Sequence, residues 1–288
     1  MSLRSGSGKS AVTLGKFDGI HIGHIKLIRN IVQYARQADL VSMVFSIEMN
    51  DGSILSHEER ARFLETLGVD CLVEYPFSKS FMHMTPEEFV RTILSKTLHA
   101  EYAAVGTDFA FGHNREGDAS TLKMLGGKYG YTTKILEKEQ IRGEDVSSTR
   151  VRQALKEADL ELVSELLGRP YPVFGTVKHG RRIGTGIGIP TVNLIPEEGK
   201  ILPPDGVYSS ITKLPDGMTR KGLTNIGTQP TVGGTTRRIE TTLIDHESDL
   251  YGAAITHHLL RHIRPIKAFS GLDELKEQIR KDRKTAWG

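Results

Sequence analysis

In the first half of the chain, apolar runs of strand length alternate with stretches whose apolar residues recur at helical spacing. Five runs have the length and composition of buried strands, and they cover residues 11–14, 41–45, 71–73, 102–105 and 132–136. Between the first two runs, apolar residues recur at helical spacing, namely Ile25, Ile28, Val32 and Ala35. Strands that alternate with helices predict a parallel sheet covered by helices.

Capping residues predict where several helices begin. Ser56 and Glu59 have the spacing of a capping box. The segment 85–88 combines an N-cap threonine, a proline at the first helical position and a glutamate at the third. A further helix is predicted between Asp159, as its N-cap, and Gly168, as its stop.

The pattern changes after Gly168. Short runs rich in Val, Ile, Thr and Tyr follow at 173–177, 207–214, 223–226, 239–244 and 253–260. Pro215-Asp216-Gly217 predicts a tight turn between two of them. These runs predict an antiparallel barrel or sandwich, closed by a helix over Leu272–Lys281. We therefore expect two domains, 11–160 and 168–288.

Composition narrows the function classes. A formal charge of +3 on 288 residues suits a polyanionic small molecule but falls short of a nucleic-acid-binding stripe. The single cysteine, Cys71, excludes an internal disulfide and a cysteine-based zinc site. No apolar run approaches the roughly 18 residues of a membrane span. We expect a cytoplasmic protein that binds neither membranes nor nucleic acid.

The most informative segment is a glycine-punctuated turn between the first strand and the first helix. His21 and His24 lie three residues apart at the helix start, so both are expected on the same face of the helix. Gly15, Gly19 and Gly23 let a ligand approach the backbone, and free N–H groups at a helix start favour phosphate. A phosphate site is predicted here, with a solvated turn as the alternative.

Two further clusters should belong to the same site. The loop Gly106–Gly117 directly follows a predicted strand, and its alternative reading is a simple connection with a packed phenylalanine pair. The segment Ser147–Arg152 presents three hydroxyl groups and basic residues at a helix start, which suits a phosphate chain. Its alternative is an ordinary N-cap with solvated arginines.

The chain resembles the nucleotidyltransferase module of the prokaryotic riboflavin kinase/FAD synthetase family in three segments that occur in the same order. These segments are Gly15–His24, Gly106–Gly117 and Ser147–Arg152. The resemblance implies a Rossmann-like α/β domain that adenylylates FMN to FAD with ATP and Mg²⁺. It implies catalytic roles for His21, His24 and Arg152. It implies ATP binding by Gly15, Phe17, Asp18, Gly19, Gly23, Asp108, Ser147, Ser148 and Thr149. It implies flavin binding by Phe109, Phe111 and Arg115.

The second half resembles the riboflavin kinase module, a small antiparallel β-barrel with a C-terminal helix. Its cues include Gly188–Leu194, Leu202–Tyr208, Asn225–Thr231 and Glu240. The resemblance implies that Thr191 and Asn193 hold Mg²⁺ and that Glu240 accepts the proton of the riboflavin hydroxyl. It implies ATP binding by Gly180, Gly188 and Pro190. Ordinary turn residues and an exposed carboxylate are the alternatives.

The chain departs from the family pattern at several positions. Phe45–Asn50 lacks the Pro-His-Pro element that lines the flavin pocket. Thr185, Gln229 and Thr242 stand where the family has charged residues or a histidine, and Arg181 and Arg182 are the nearby basic residues. The main hypothesis is an enzyme with both activities. The alternatives are an FAD synthetase with a degenerate kinase domain, a non-catalytic flavin sensor, and a nucleotidyltransferase with another phosphate acceptor.

Overall fold

The computed structural model describes residues 8–47, 52–178, 191–231, 234–246 and 250–288, with the side chains of 229–231 and 234–236 outside the description. Its contacts divide into two compact units. The first comprises Met1–Asp51 and Arg60–Ser147, and the second comprises Gly52–Glu59 and Ser148–Gly288. Residues 148–167 thus lie with the barrel in this division. The functional domain ranges 11–160 and 168–288 stay a prediction.

The first unit is built on a five-stranded parallel sheet. Its strands are β1 (Ser10–Gly15), β2 (Val41–Ile47), β3 (Cys71–Tyr75), β4 (Ala100–Gly106) and β7 (Thr132–Leu136). They lie in the order β3-β2-β1-β4-β7, and every pair is parallel. All five predicted strands are therefore confirmed. The parallel sheet is confirmed with them.

Helices and short hairpins connect these strands. The helices are α1 (Ile22–Ala38), α2 (His57–Thr66), α3 (Lys79–Met82), α4 (Pro86–Phe89) and α5 (Ala119–Tyr129), and α4 continues as a π-helical stretch over Val90–Thr97. The hairpins pair β5 (Ala110–Phe111) with β6 (Gly117–Asp118) and β8 (Gln140–Ile141) with β9 (Glu144–Asp145). Neither hairpin is predicted from the sequence, because strands of two residues are too short to show a period.

The predicted helix starts are confirmed by their hydrogen bonds. Ser56 N–H donates to Glu59 Oε2 at 2.9 Å and Glu59 N–H donates to Ser56 Oγ at 3.3 Å, which closes the capping box. Thr85 and Glu88 form the same reciprocal pair at α4. Each box satisfies N–H groups that a helix start leaves without a partner.

The second unit is a closed antiparallel barrel with three helices. Its strands are β10 (Tyr171–Lys178), β11 (Thr191–Leu194), β12 (Gly206–Lys213), β13 (Thr219–Thr231), β14 (Gly234–Leu243) and β15 (Ala254–Arg264), in the order β10-β11-β14-β13-β12-β15. The helices are α6 (Ser148–Lys156), α7 (Leu160–Leu167) and α8 (Leu272–Trp287). The sequence predicted a barrel or a sandwich, and the structure confirms the barrel. The last helix is longer than predicted, because buried Asp282 accepts hydrogen bonds from Arg264 and Gln278 beyond the predicted end.

Polar side chains are linked inside the barrel. His257 is fully buried, with its Nδ1 2.7 Å from Thr212 Oγ1 and its Nε2 3.1 Å from Thr241 Oγ1. Thr241 Oγ1 lies 2.8 Å from Thr224 Oγ1, which extends the network. Burial, with the charge of His258, lowers the pKa of His257 to about 3. His257 is therefore neutral at physiological pH.

Candidate active sites

The turn between β1 and α1 brings two imidazole rings together. His21 is the N-cap of α1, and its Nδ1 accepts a hydrogen bond of 3.3 Å from the backbone N–H of His24. The two rings stack with centroids 3.7 Å apart and 16° between their planes. The Phe17 ring lies 4.8 Å from that of His24. The predicted shared face of the two histidines is confirmed.

The electrostatics of this turn suit an anion. Because Nδ1 of His21 accepts a hydrogen bond, a neutral His21 carries its proton on Nε2 and can donate from there. Burial, and then the charge of His21, hold the pKa of His24 well below its ordinary value. His24 Nδ1 is buried without a hydrogen-bond partner among the described residues. A bound polyanion would favour the protonated form of His24.

The backbone of the same turn is strained. Phe17 has φ 42° and Ile20 has φ 44°, a left-handed conformation that large and β-branched residues rarely adopt. Both side chains are fully buried, which keeps them in place. A Cβ at Gly23 would lie 3.3 Å from the His21 ring, so a side chain there would press on the stack. Packing of these two side chains therefore holds the turn in its strained conformation.

The loop after β4 lies at the same sheet edge, because β4 pairs with β1 and both are followed by their loops at the carboxyl end. In this loop the Phe109 ring stacks on Phe111 at 5.4 Å. Phe111 is 7% exposed and packs at 5.3 Å from Phe89, whereas Phe109 is half-buried. Gly112 has φ 77°, and a Cβ on it would lie 2.8 Å from Pro86. Only glycine fits this position without rearrangement.

Further aromatic residues lie near the carboxyl ends of the neighbouring strands β2 and β3. From buried Phe45, ring contacts run to Tyr75 at 5.6 Å, from Tyr75 to Phe81 at 5.0 Å, and from Phe81 to Phe77 at 6.1 Å. Phe77 is 52% exposed. The series therefore leads from the core to the surface. Its only signal in the sequence is the aromatic spacing after β3.

The third predicted cluster divides at the unit boundary. Ser147 ends the first unit, and Ser148 begins α6 in the second. The helix start predicted at Ser147–Thr149 is confirmed. Within the second unit, Arg152 Nη2 donates to the Gly52 carbonyl at 2.8 Å. Arg115, from the second cluster, lies exposed in a left-handed conformation with φ 60°.

A row of polar side chains crosses three strands of the barrel. Asn193 on β11 is directly opposite Glu240 on β14, and Glu240 is directly opposite Asn225 on β13. Thr191 is opposite Thr242 on the same face, since residues two apart on a strand point the same way. Asn225 is a further candidate, and its only sequence signal is its place in the Asn225–Thr231 cue.

Asn193 carries an unsatisfied oxygen. The residue is 8% exposed, and its Oδ1 has no hydrogen-bond partner among the described residues. A buried amide oxygen without a donor is costly, and a hard cation such as Mg²⁺ is a partner that satisfies it. Asn193, with Thr191 beside it on β11, therefore fits a magnesium site.

Several predicted positions lie outside the described residues. They are Gly180, Arg181, Arg182, Thr185, Gly188 and Pro190, together with Glu48–Asn50 and the side chain of Gln229. Thr242, which does lie in the described part, occupies the position next to Thr191.

Comparison with known proteins assigns a family to each half of the chain. The FAD synthetase family model matches residues 4–150, and the riboflavin kinase family model matches residues 167–287. A protein of Escherichia coli K12 named bifunctional riboflavin kinase/FMN adenylyltransferase is 36% identical over 285 residues, which are 96% of this chain and 91% of that protein. The chain belongs to the bifunctional riboflavin kinase/FMN adenylyltransferase family.

Other relatives extend the comparison. The bifunctional riboflavin kinase/FMN adenylyltransferase of Bacillus subtilis is 33% identical over 299 residues, with 99% of this chain and 93% of that protein covered. A crystal structure from Streptococcus pneumoniae, described as a macrolide-efflux protein, has a TM-score of 0.86 at 30% identity and covers 98% of this chain and 96% of that one. Within the described ranges, no helix of this family member is long and apolar enough to cross a membrane.

Proposed function

We propose that the chain makes FAD in two ATP-dependent steps. The barrel phosphorylates riboflavin to FMN, and the α/β unit adenylylates FMN to FAD with release of pyrophosphate. The observation that carries the proposal is the stacked His21–His24 pair, which lies at a helix N-terminus on the carboxyl edge of a parallel sheet. The substrates are the small molecules ATP, riboflavin and FMN, and the proposed location is the cytoplasm.

Adenylyl transfer needs positioning and charge neutralisation more than a protein nucleophile. A phosphate oxygen of FMN attacks the α-phosphorus of ATP, and the bond to the pyrophosphate oxygen breaks. His21 donates from Nε2 to the negative charge that develops at the α-phosphate, and His24 acts beside it. In this proposal the Ser147–Arg152 helix start binds the departing phosphates.

The flavin ring needs an aromatic surface. Phe109 is half-buried, and Phe77 is 52% exposed at the end of the aromatic series from Phe45. Both rings follow strands whose carboxyl ends lie at the ligand edge. We assign the isoalloxazine to this surface, where stacking adds to the burial of apolar area. Arg115, exposed in the same loop as Phe109, is assigned to the flavin side.

In the barrel, Glu240 acts as the general base. It accepts the proton of the riboflavin 5′-hydroxyl as that oxygen attacks the γ-phosphorus of ATP and ADP leaves. Thr191 and Asn193 would hold Mg²⁺, which supplies neutralisation of the phosphate charge when bound. Asn225, opposite Glu240, is within reach to orient its carboxylate.

Thr242 supports a second candidate, an FAD synthetase with a degenerate kinase. It lies opposite Thr191 on the site face, where the family commonly has a histidine. The deciding experiment incubates the protein with MgATP and either riboflavin or FMN, and separates the products by chromatography. FMN and then FAD from riboflavin supports both activities. FAD from FMN alone supports the second candidate, and no product from either flavin refutes the enzyme in favour of a flavin-binding protein.

A further inference from the structure

Lys138 follows the carboxyl end of β7 and joins two parts of the candidate adenylyl-transfer site. Its Nζ lies 3.1 Å from Asp108 Oδ2 and 3.2 Å from Asp145 Oδ2. Asp108 belongs to the loop after β4, and Asp145 precedes Ser147 by two residues. One ammonium group therefore connects the loop after β4 with the residues that lead into Ser147.

The backbone around Lys138 is itself fixed from the helix that carries the histidines. Lys26, on α1, donates to the Glu137 carbonyl at 2.9 Å and lies 2.7 Å from Glu139 Oε1. The residues on both sides of Lys138 are thus bonded to α1. This arrangement sets the position of Lys138 relative to the turn that holds His21 and His24.

One carboxylate oxygen of Asp108 lies close to Gly106. A Cβ on Gly106 would lie 3.1 Å from Asp108 Oδ1, so the absence of a side chain at Gly106 leaves room for this oxygen. The other oxygen is held by Lys138. The orientation of Asp108 is therefore set on both sides, by the glycine and by the lysine.

Lys138 also offsets the negative charge of the two carboxylates that it contacts. The Asp108 and Asp145 side chains are 66% and 48% exposed. Hydrogen bonds from Gln140 and Lys138 lower the pKa of Asp145, which keeps that carboxylate ionised. Two carboxylates beside a triphosphate would repel it, and the ammonium between them offsets that repulsion.

We propose that Lys138 is a positioning residue of the adenylyl-transfer site, which orients Asp108 and neutralises Asp108 and Asp145 so that the triphosphate of ATP is admitted. This inference rests on the proposed adenylyl transfer. It adds a residue to which the motifs of the sequence assign no role. Lys138 acts through the two carboxylates and takes no part in the bond changes.

The test compares Lys138→Met with the wild-type chain in FAD synthesis from FMN. The KM for ATP should rise about five- to tenfold, because one charge near the triphosphate is lost. The kcat and the KM for FMN should stay within about twofold. Lys138→Arg should behave like the wild type, and adding Asp145→Asn to Lys138→Met should recover most of the KM, which loss of structure alone would not allow.

Lys134→Met is the matched control, since Lys134 is an exposed lysine on β7, the strand that precedes Lys138. An unchanged KM for ATP in Lys138→Met, or an equal rise in Lys134→Met, would overturn the inference. Calorimetric titration with MgATP, without flavin, separates this outcome from failure of the proposed function. If the wild type makes no FAD, the proposed function fails, and the role of Lys138 is decided by whether Lys138→Met weakens one ATP site.

Discussion

Lys200 forms a buried ion pair whose removal should destabilise the barrel unit measurably. Its side chain is 1% exposed and that of Glu59 is 3% exposed. The ammonium donates to Glu59 Oε2 at 2.5 Å, to the Ile54 carbonyl at 2.7 Å and to the Pro172 carbonyl at 3.0 Å. It also lies 4.2 Å from the centroid of the Tyr171 ring. All three ammonium hydrogens thus have an acceptor.

The loss of stability in Lys200→Met depends on the interactions that Glu59 keeps. Breaking a buried pair costs about 3–5 kcal/mol, because the other charge stays buried. Glu59 keeps hydrogen bonds from the N–H groups of Phe174 at 2.8 Å and Ser56 at 2.9 Å, which reduce that cost. Methionine keeps most of the stem packing. We expect a loss of about 3 kcal/mol in the free energy of unfolding. Glu59→Gln should cost a similar amount.

The double variant Lys200→Met/Glu59→Gln distinguishes charge pairing from packing. Since it removes both charges of this pair, its loss should be about that of one single variant rather than their sum. Urea unfolding followed by tryptophan fluorescence measures the barrel unit, because Trp287 is the only tryptophan and lies on α8. Lys267→Met, which breaks an exposed pair with Glu274, is the control and should leave the free energy of unfolding nearly unchanged. A loss below about 1 kcal/mol for Lys200→Met, or additive losses, would refute the reasoning.

The remaining predictions concern the two sites and the barrel core. His21→Ala and His24→Ala should lower the rate of FAD synthesis from FMN about 10²–10³-fold with unchanged circular dichroism, and normal turnover in both would remove their assigned role. Arg152→Ala should raise the KM for ATP more than the KM for FMN in the same assay, and the reverse order would place it on the flavin side. Glu240→Gln should slow FMN formation from riboflavin about 10²–10⁴-fold and leave the adenylyl step unchanged, which chromatography of both reactions checks. The pKa of His257 is about 3 in the folded chain and near 6.5 when unfolded, so the unfolded state alone takes up this proton and stability should fall as pH drops from about 6.5 to 3. His257→Gln should flatten that slope in urea titrations read by tryptophan fluorescence.

The sequence by itself determined the local features of this protein. The parallel-sheet strands, the capping boxes and the αL stop at Gly168 depend on residues within a few positions of each other, so periodicity and capping chemistry predict them. The same holds for His21 and His24, whose stacking follows from three-residue spacing at a helix start. Their chemistry could therefore be anticipated before the fold was known.

Only the tertiary structure decided which distant residues meet. Glu240 faces Asn193 and Asn225 because of the strand register, and a shift of one residue would turn the whole set to the other face of the sheet. Glu59 and Lys200 are 141 positions apart, and no local pattern relates them. Such pairs depend on strand order and packing, which follow from burial summed over the whole chain and not from any one segment. That is why the sequence predicted the shared face of His21 and His24, while the pairing of Asn225 with Glu240, the contacts of Lys138 and the buried ion pair appeared only in the folded protein.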